Sequence, residues 1–591
     1  MRTRARLPGD GALWALLISG LLGFRIGMAG YPTWSVAVET AQVVAGIVQY
    51  PAESPFYIYH TKLWTILHQI GAVALLSGIS EIAISKLLSG LLGMVSFQAL
   101  TMIVYAFSRD TLLAIGAAFV IVFSRAAEYG VVYPILLMGT HHTYGALGLS
   151  LIVLIAALFG SGCHRTAAFL LGVAPAVHPS LGAALGLVVA AAFASSFRAH
   201  LERFRPVMPY FVAGAAMTTV SLAVQLLVTY DAPPIEPGVA ARYLDAFVTG
   251  WDGHRRAVDL RAPGVQLAAG GLALGLLYLA GAAGQLDRAV EFLLRIVTAA
   301  ALLGLAATVL SWVPPDRLPP ALLIVMPARL LNINGLLFAA LLIGLLGAYR
   351  PRVSSQLLIG LLMAGLLISQ QSGLWDWLQG RGWIGFDARP RQLPLFALAA
   401  GGLVGLAITR RAGAATRVGG AWWAARAARF AWLAPAALAA AAMLSRTAPA
   451  AEVYRDRTND SFFAAVAAET KGMVLTAGSF QLVQLYTRRP VLIDGGGLDA
   501  LPYALEAGPL MERVLRDVYD IDLFHPPIWA KGSGFIPHEA NQPVWEGFSR
   551  ERWLEIGRTY KATQVLTRAN WRLDLPVAAE SPAFRLYRIP D

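Results

Sequence analysis

The sequence predicts a mainly α protein: a polytopic α-helical membrane bundle of about 13 ± 2 spans, N-terminus inside and C-terminus outside, with a small α/β soluble domain at its C-terminal end. Three observations predict it. Charged residues make up only 14% of the 591, against roughly a quarter in a soluble domain, so a water-facing surface cannot be covered. Apolar runs recur from Gly11 to about Ser445, each long enough to cross a hydrocarbon core of roughly 30 Å. Beyond Ser445 charged residues return and apolar runs shorten to strand length. The division expected is therefore a transmembrane domain over 1–445, with a first outer loop at 31–62, and an extracytoplasmic α/β domain over 446–591.

Arginines set the expected topology. Arg2, Arg4 and Arg6 precede the first span and hold the N-terminus inside. Inward turns are then expected at Lys86, Arg125, His164-Arg165, Arg198 to Arg205, Arg288, Arg350 to Arg352 and Arg410 to Arg417. Outward segments are expected at 31–62, 109–110, 140–143, 178–179, 231–264, 313–320, 372–391 and after about 446. This walk makes about 15 crossings. Two pairs, 111–124 with 130–140 and 166–178 with 180–197, are short enough to be re-entrant hairpins. Loops 231–264 and 372–391 carry arginines against the inside rule, and the first offsets them with Asp245, Asp252 and Asp259. The net charge of +12 is read as inside loops, which removes a nucleic-acid partner as its explanation. A single cysteine, Cys163, excludes an internal disulfide. No small-residue cleavage motif follows Gly30, so the first helix is read as a span.

In the tail, 473–477 reads as a buried strand, 480–488 as a helix, 491–494 as a second strand, 551–561 as a helix, 564–567 as a third strand and 584–589 as a closing strand. This alternation predicts a partly parallel sheet. Gly495-Gly496-Gly497 has no following lysine and is read as a turn.

Several groups with chemistry fall on expected outward segments. In the first loop, Glu39 stands on a short amphipathic helix, with Glu53 and His60 on either side of a Pro55-Phe56-Tyr57 turn. His141 and His142 end one short span, and His178-Pro179 joins two others. A carboxylate near an imidazole is what activation of a hydroxyl needs. Loop 372–391 combines Trp375, Trp377 and Trp383 with Arg381, Arg389 and Arg391, a composition suited either to anchoring at headgroups or to a phosphorylated lipid. Arg329 sits near the outer end of a long span, and Arg25 lies in the first. A divalent cation is possible among these carboxylates and histidines, but no HxxxH or DxD spacing marks it, and no cofactor is assigned.

The layout resembles the GT-C class of bacterial membrane glycosyltransferases. Segment 36–51, with Ala41, Gly46 and Tyr50-Pro51, is similar to the A-x4-G-x3-YP trace of that class. The stretches LGVAPAVHP (171–179) and VLTAGSFQLVQLYTRRPVLID (474–494) are similar to segments in bacterial proteins of this layout. The resemblance implies transfer of a sugar from a polyprenyl-phosphate donor to a glycan, lipid or protein acceptor on the outer face of the inner membrane. It implies a first-loop base, here Glu39 or Glu53, with His178 or His142 near the acceptor and Arg381 or Arg329 on the carrier phosphate. The class's acidic position falls near Thr33-Trp34, which has no carboxylate, so Glu39 is displaced from it. Two other readings stand beside this one: a non-catalytic envelope assembly or scaffold protein, and a transporter or flippase. No clear internal repeat appears, and Glu81 and Glu128 are the few acidic candidates for proton coupling. The enzyme reading expects Glu39 and His178 to line one cavity roofed by the tail. A transporter expects a path to both faces, and a scaffold a filled core.

Overall fold

The computed structural model describes residues 10–30, 35–62, 65–130, 144–228, 234–281, 287–348, 353–369, 381, 422–445, 457, 459–477, 482–493, 497–532, 534 and 536–590. Helix α1 (Asp10–Gly30) is followed by three short helices, α2 (Ser35–Val44), α3 (Pro55–Lys62) and α4 (Ile66–Leu76), and then by the 28-residue α5 (Glu81–Ser108). Next come α6 (Thr111–Phe123), α7 (Tyr144–Gly160), α8 (His164–Val177) and α9 (Pro179–Ala194). The bundle continues with α10 (Phe197–Phe204), α11 (Met208–Val228), α12 (Pro237–Ala246), α13 (Pro263–Gly281) and α14 (Arg288–Leu310). It ends with α15 (Pro320–Val325), α16 (Leu330–Gly347), α17 (Val353–Ile368) and α18 (Trp422–Leu444). Among the described residues five helical stretches are long and apolar enough to cross a membrane: 11–29, 81–108, 197–227, 288–310 and 320–347. Shorter apolar helices, α6, α7 and α9 among them, pack beside these.

The bundle has two ends, and close contacts fix which residues share each. Helices α1 and α5 run antiparallel with their backbones touching: a Cβ on Gly23 would sit 2.3 Å from the Gly93 carbonyl oxygen, and one on Gly27 2.2 Å from that of Ser89. Small residues at this spacing let two helices approach closely, and such packing holds helices together where lipid is as apolar as the side chains. At one end, the far end, Thr111 Oγ1 donates to Gly11 O at 3.0 Å and Arg109 pairs with Asp287 at 3.1 Å. At the other, Glu81 pairs with Arg488 of the C-terminal domain at 2.8 Å. We call this the domain end.

This geometry corrects the expected turns. Residues 109–110 lie at the far end, opposite the domain, whereas Lys86 lies one turn inside the domain end of a continuous helix. The break that ends α5 is at Arg109, which takes the left-handed conformation (φ 52°), and Asp110 caps α6 by accepting from the Leu112 and Leu113 N–H groups at 2.9 and 3.1 Å. A charged residue need not mark a turn, because exposed Lys86 can reach out from within a helix. Arg125 also belongs to the domain end, since Gly335 at the start of α16 lies against the Tyr129 carbonyl. Tyr144 begins α7 at that same end: Gly148 faces His178, while Ser161 donates to Met102 O near the far end. Gly130 and Tyr144 thus share one end of the bundle. The crossing expected at 130–140 falls, apart from Gly130, outside the described residues. Helices α8 and α9 form a hairpin with its apex, His178, at the domain end.

Helix α16 is the bundle's axis, with every residue of its apolar window buried, whereas α11 is the most open, and its leucines face outward. The C-terminal domain holds a four-stranded sheet in the order β1-β2-β4-β3, with β1 Met473–Thr476, β2 Ala562–Arg568, β3 Val577–Glu580 and β4 Phe584–Arg588. The β1–β2 pair is parallel and the other two are antiparallel, so the sheet is partly parallel as expected. One strand expectation fails and one strand goes unforeseen. Val491 makes a single bridge to Val474 in place of a strand, and β3 has no counterpart in the sequence reading, because its residues are mostly exposed and do not alternate.

The core beneath the domain is not built from the tail alone. Met473, Leu475, Leu492 and Trp545 pack in one cluster with Val48 and Tyr50 of the first loop, Tyr243, Phe247 and Trp251 after α11, and Leu323 of α15. Three segments that leave the bundle at the domain end thus complete the domain's interior.

Candidate functional site

The first loop meets the domain through a buried polar network. Tyr50 Oη donates to Gln484 Oε1, and Gln484 Nε2 donates to the Glu39 carbonyl at 2.9 Å and to Gln42 Oε1 at 3.3 Å. Gln42 Nε2 in turn donates to Glu81 Oε1 and to Leu485 O, both at 3.3 Å. Arg488 closes the set, its Nε and Nη2 donating to the two Glu81 oxygens at 2.8 and 3.3 Å. Buried polar groups must be paired, and here they are paired with one another. His60 on α3 lies in the same region, 3.1 Å from Thr40 Oγ1 and close to the rings of Tyr50, Phe56 and Tyr59. Burial pushes its imidazole down to about 3, so it is neutral. Glu39 is half-buried on α2, and Glu53 is half-buried in the turn before α3.

A second constellation lies where the loop between α12 and α13 meets the start of α16. A π-helical turn, Phe247–Trp251, ends at Asp252, and Trp251 Nε1 donates to Leu523 O at 2.8 Å. Asp252 is 2% exposed; it accepts the Arg255 guanidinium and the His254 backbone N–H, the latter at 2.7 Å. Arg255 Nε also donates to Leu323 O at 2.7 Å. The next arginine, Arg256, is exposed and lies against Gly532 of the domain, where φ is +71° and any Cβ would fall on the guanidinium. The positive φ favours glycine there, and any other residue would also displace the guanidinium.

Below Arg256 is a pocket of about 310 Å³ lined by His254, Arg256, Asp259, the turn into α13 and Gly130. Arg329, 8% exposed, sits in the Pro327–Arg329 turn that starts α16, after Met326 in a left-handed conformation. Its charge acts on both His178 and His254, which places all three in one neighbourhood. His178 caps α9, its Nδ1 accepting from the Leu181 N–H at 3.4 Å. Burial lowers the His254 pKa; Asp252 opposes this, and Arg329, Arg255 and Arg256 add to it. Arg256 and Asp259 are the charged residues that line the pocket; Arg255 is paired with Asp252, and Arg329 acts on His254 from outside the lining. Such a site is suited to an anion, and arginine forks fit phosphate oxygens in pairs.

The structure therefore groups His178 with Arg329 and places His60 beside Thr40, the residue after Glu39. Neither Glu39 nor His178 lines the pocket just described. Arg381 is exposed, and His141, His142, Trp375 and Trp377 lie outside the described residues. His254, Arg255, Arg256 and Asp259 are site residues that sequence reasoning misses. The signal is present as the HRR run between Asp252 and Asp259, which reads in the sequence only as a charge conflict in loop 231–264. Among the described residues no three His, Cys, Asp or Glu side chains are grouped to hold a metal ion.

No protein-family model matches this chain, and no curated protein matches it. Among solved structures, the chain is similar to that of ArnT from Cupriavidus metallidurans bound to undecaprenyl phosphate, with 13% identity over 98% of each chain and a TM-score of 0.38. A similarity at that level leaves function to be decided by the site itself.

Proposed function

We propose that this protein is a GT-C-like enzyme of a bacterial inner membrane. It transfers a sugar from a polyprenyl-phosphate-linked donor to an acceptor at the domain end of its bundle, with residues 446–591 outside the cytoplasm. The observation that carries the reading is the pocket lined by His254, Arg256 and Asp259 at the domain end of an apolar bundle. A lipid-linked phosphate needs hydrocarbon for its tail and fixed positive charge for its head, and the His254–Arg256 pocket lies where the two meet. Arg256 and Arg329 would stabilise the phosphate as it departs, because preorganised charge aimed at a leaving anion acts without reorganising. The acceptor hydroxyl oxygen attacks the anomeric carbon, the bond from that carbon to the phosphate oxygen breaks, and the hydroxyl proton passes to a carboxylate. Asp259, which lines the pocket, is the carboxylate assigned that task. Glu39, the base expected from the resemblance, stands on the helix whose backbone holds the domain.

The test uses the full chain in lipid nanodiscs, supplied with a polyprenyl-phosphate-linked sugar and membrane glycan acceptors. Transfer should fall at least about tenfold in Arg256→Gln and in Asp259→Asn, with donor binding weakened only in the first. Transfer at full rate in both variants would remove the pocket from the reaction.

One observation favours a second reading, a non-catalytic assembly protein. The first loop is built into the clamp on the domain, and its polar groups are hydrogen-bonded to that domain. Unchanged envelope glycans on deletion of the protein would favour this reading over the enzyme.

A further inference from the structure

The domain's described surface exposes few large apolar side chains: Tyr503, Ile528, Trp529 and Val577. Two of these are adjacent. Ile528 is 88% exposed and Trp529 41%, in the turn that runs from Pro526 to Gly532. The turn is fixed to the bundle's loops. Pro526 packs on Gly250, Gly532 N–H donates to Gly250 O at 3.1 Å, and Gly253 faces the Gly532 carbonyl. That same loop runs through Leu260, which is also exposed, into α13 at Pro263. Between them, the Val258 carbonyl accepts from Trp312 Nε1 at 2.9 Å, and Trp312 follows the end of α14 with its ring partly exposed. The apolar tip therefore hangs from the segments that enter the bundle.

Two features of the tip select its occupant. A tryptophan beside an aliphatic side chain, flanked by exposed Lys531 and exposed Arg256, is the composition that sits at the headgroup boundary of a bilayer. A protein partner would be expected to meet a broader apolar patch, and the neighbouring domain surface is polar: His525 pairs with Asp522 at 2.7 Å, both well exposed. The tip also has no slack, since both its ends are tied to Gly250, so it is presented at a fixed height over the bundle.

We infer that the Pro526–Gly532 turn dips into the leaflet at the domain end, with Ile528 and Trp529 below the headgroups and Lys531 among them. The domain thus touches the membrane directly beside the pocket at Arg256, in addition to its contacts with the bundle. This inference does not depend on glycosyl transfer.

The test uses two single-cysteine versions of the full chain, Ile528→Cys and Glu555→Cys, each in a Cys163→Ala background and each labelled with one environment-sensitive fluorophore. Glu555 serves as control on the exposed face of the helix Arg550–Tyr560. In nanodiscs the label at position 528 should be blue-shifted and quenched about twofold or more by lipids carrying a shallow nitroxide, while the label at position 555 is quenched by aqueous iodide instead. Equal iodide quenching at both positions would overturn the inference. So would a blue shift at position 528 that requires an added protein fraction and is insensitive to the lipid quencher. A second measurement guards against local distortion: Trp529→Ser should leave the melting temperature unchanged while reducing lipid quenching of the label at 528. Loss of this contact with phosphate binding intact would leave the proposed function standing.

Discussion

Two of the places where the C-terminal domain meets the bundle, among the described residues, are built on opposite principles. At the first loop, Glu81 faces Arg488, Gln42 faces Gln484, and His60 is held neutral against Thr40. At the 252–262 loop, Arg255 is paired with Asp252, whereas exposed Arg256 and Asp259 line a pocket. Matched, buried groups define a geometry and offer nothing to a ligand. Charged groups at the edge of a cavity stay open to a ligand. On the proposed function, the first contact holds the domain and the second binds the phosphate.

The largest effect expected from breaking this contrast is at Arg256. Reversal in Arg256→Glu should weaken polyprenyl-phosphate binding by about a hundredfold, measured on the full chain in nanodiscs, with no change in melting temperature because the side chain is exposed. The clamp should respond the other way. Arg488→Ala leaves Glu81 without this cation and should destabilise the domain's docking by about 2 kcal/mol, reduced from the fully buried case because Arg488 is half exposed. Limited proteolysis of the tail would detect this, and resistance equal to wild type would count against the clamp.

A smaller effect concerns pH. His60 in the folded protein takes up a proton only near pH 3, whereas an unfolded histidine does so near 6.5. Between those values the unfolded chain binds the extra proton, so stability is complete above pH 6.5 and declines as pH falls, by up to about 1.4 kcal/mol per unit. His60→Asn should flatten that decline between pH 7 and 5 in thermal melts; an unchanged slope would place the titration elsewhere. The smallest effect is at Glu39. With Asp259 as the base, Glu39→Gln should alter transfer by less than about threefold. A large loss with binding retained would move the base to the first loop, as the resemblance implies.

The bundle is legible in the sequence because each apolar run must cross or bury, and its helices begin and end close to where those runs do. Which end each turn occupies is less legible. Lys86 and Arg125 read as inward turns and 109–110 as an outward one, but Lys86 lies inside a continuous helix, Arg125 turns at the domain end, and the turn at Arg109-Asp110, a left-handed residue and an aspartate cap, lies at the far end. The sheet's buried strands announce themselves as continuous apolar runs; exposed β3 has no such pattern. The shared core is invisible in the sequence because it joins segments hundreds of residues apart, as in the bond from Gln42 to Leu485. The pocket escapes for a related reason. His254, Arg255 and Arg256 acquire meaning only when Gly532 and Arg329, from distant parts of the chain, are brought beside them.

One measurement tests the division of labour most directly: polyprenyl-phosphate affinity of the full chain in nanodiscs for Arg256→Gln and for Arg488→Gln. The account predicts affinity about tenfold weaker in the first and equal to wild type in the second. Equal losses in both, or a loss confined to Arg488→Gln, would contradict it.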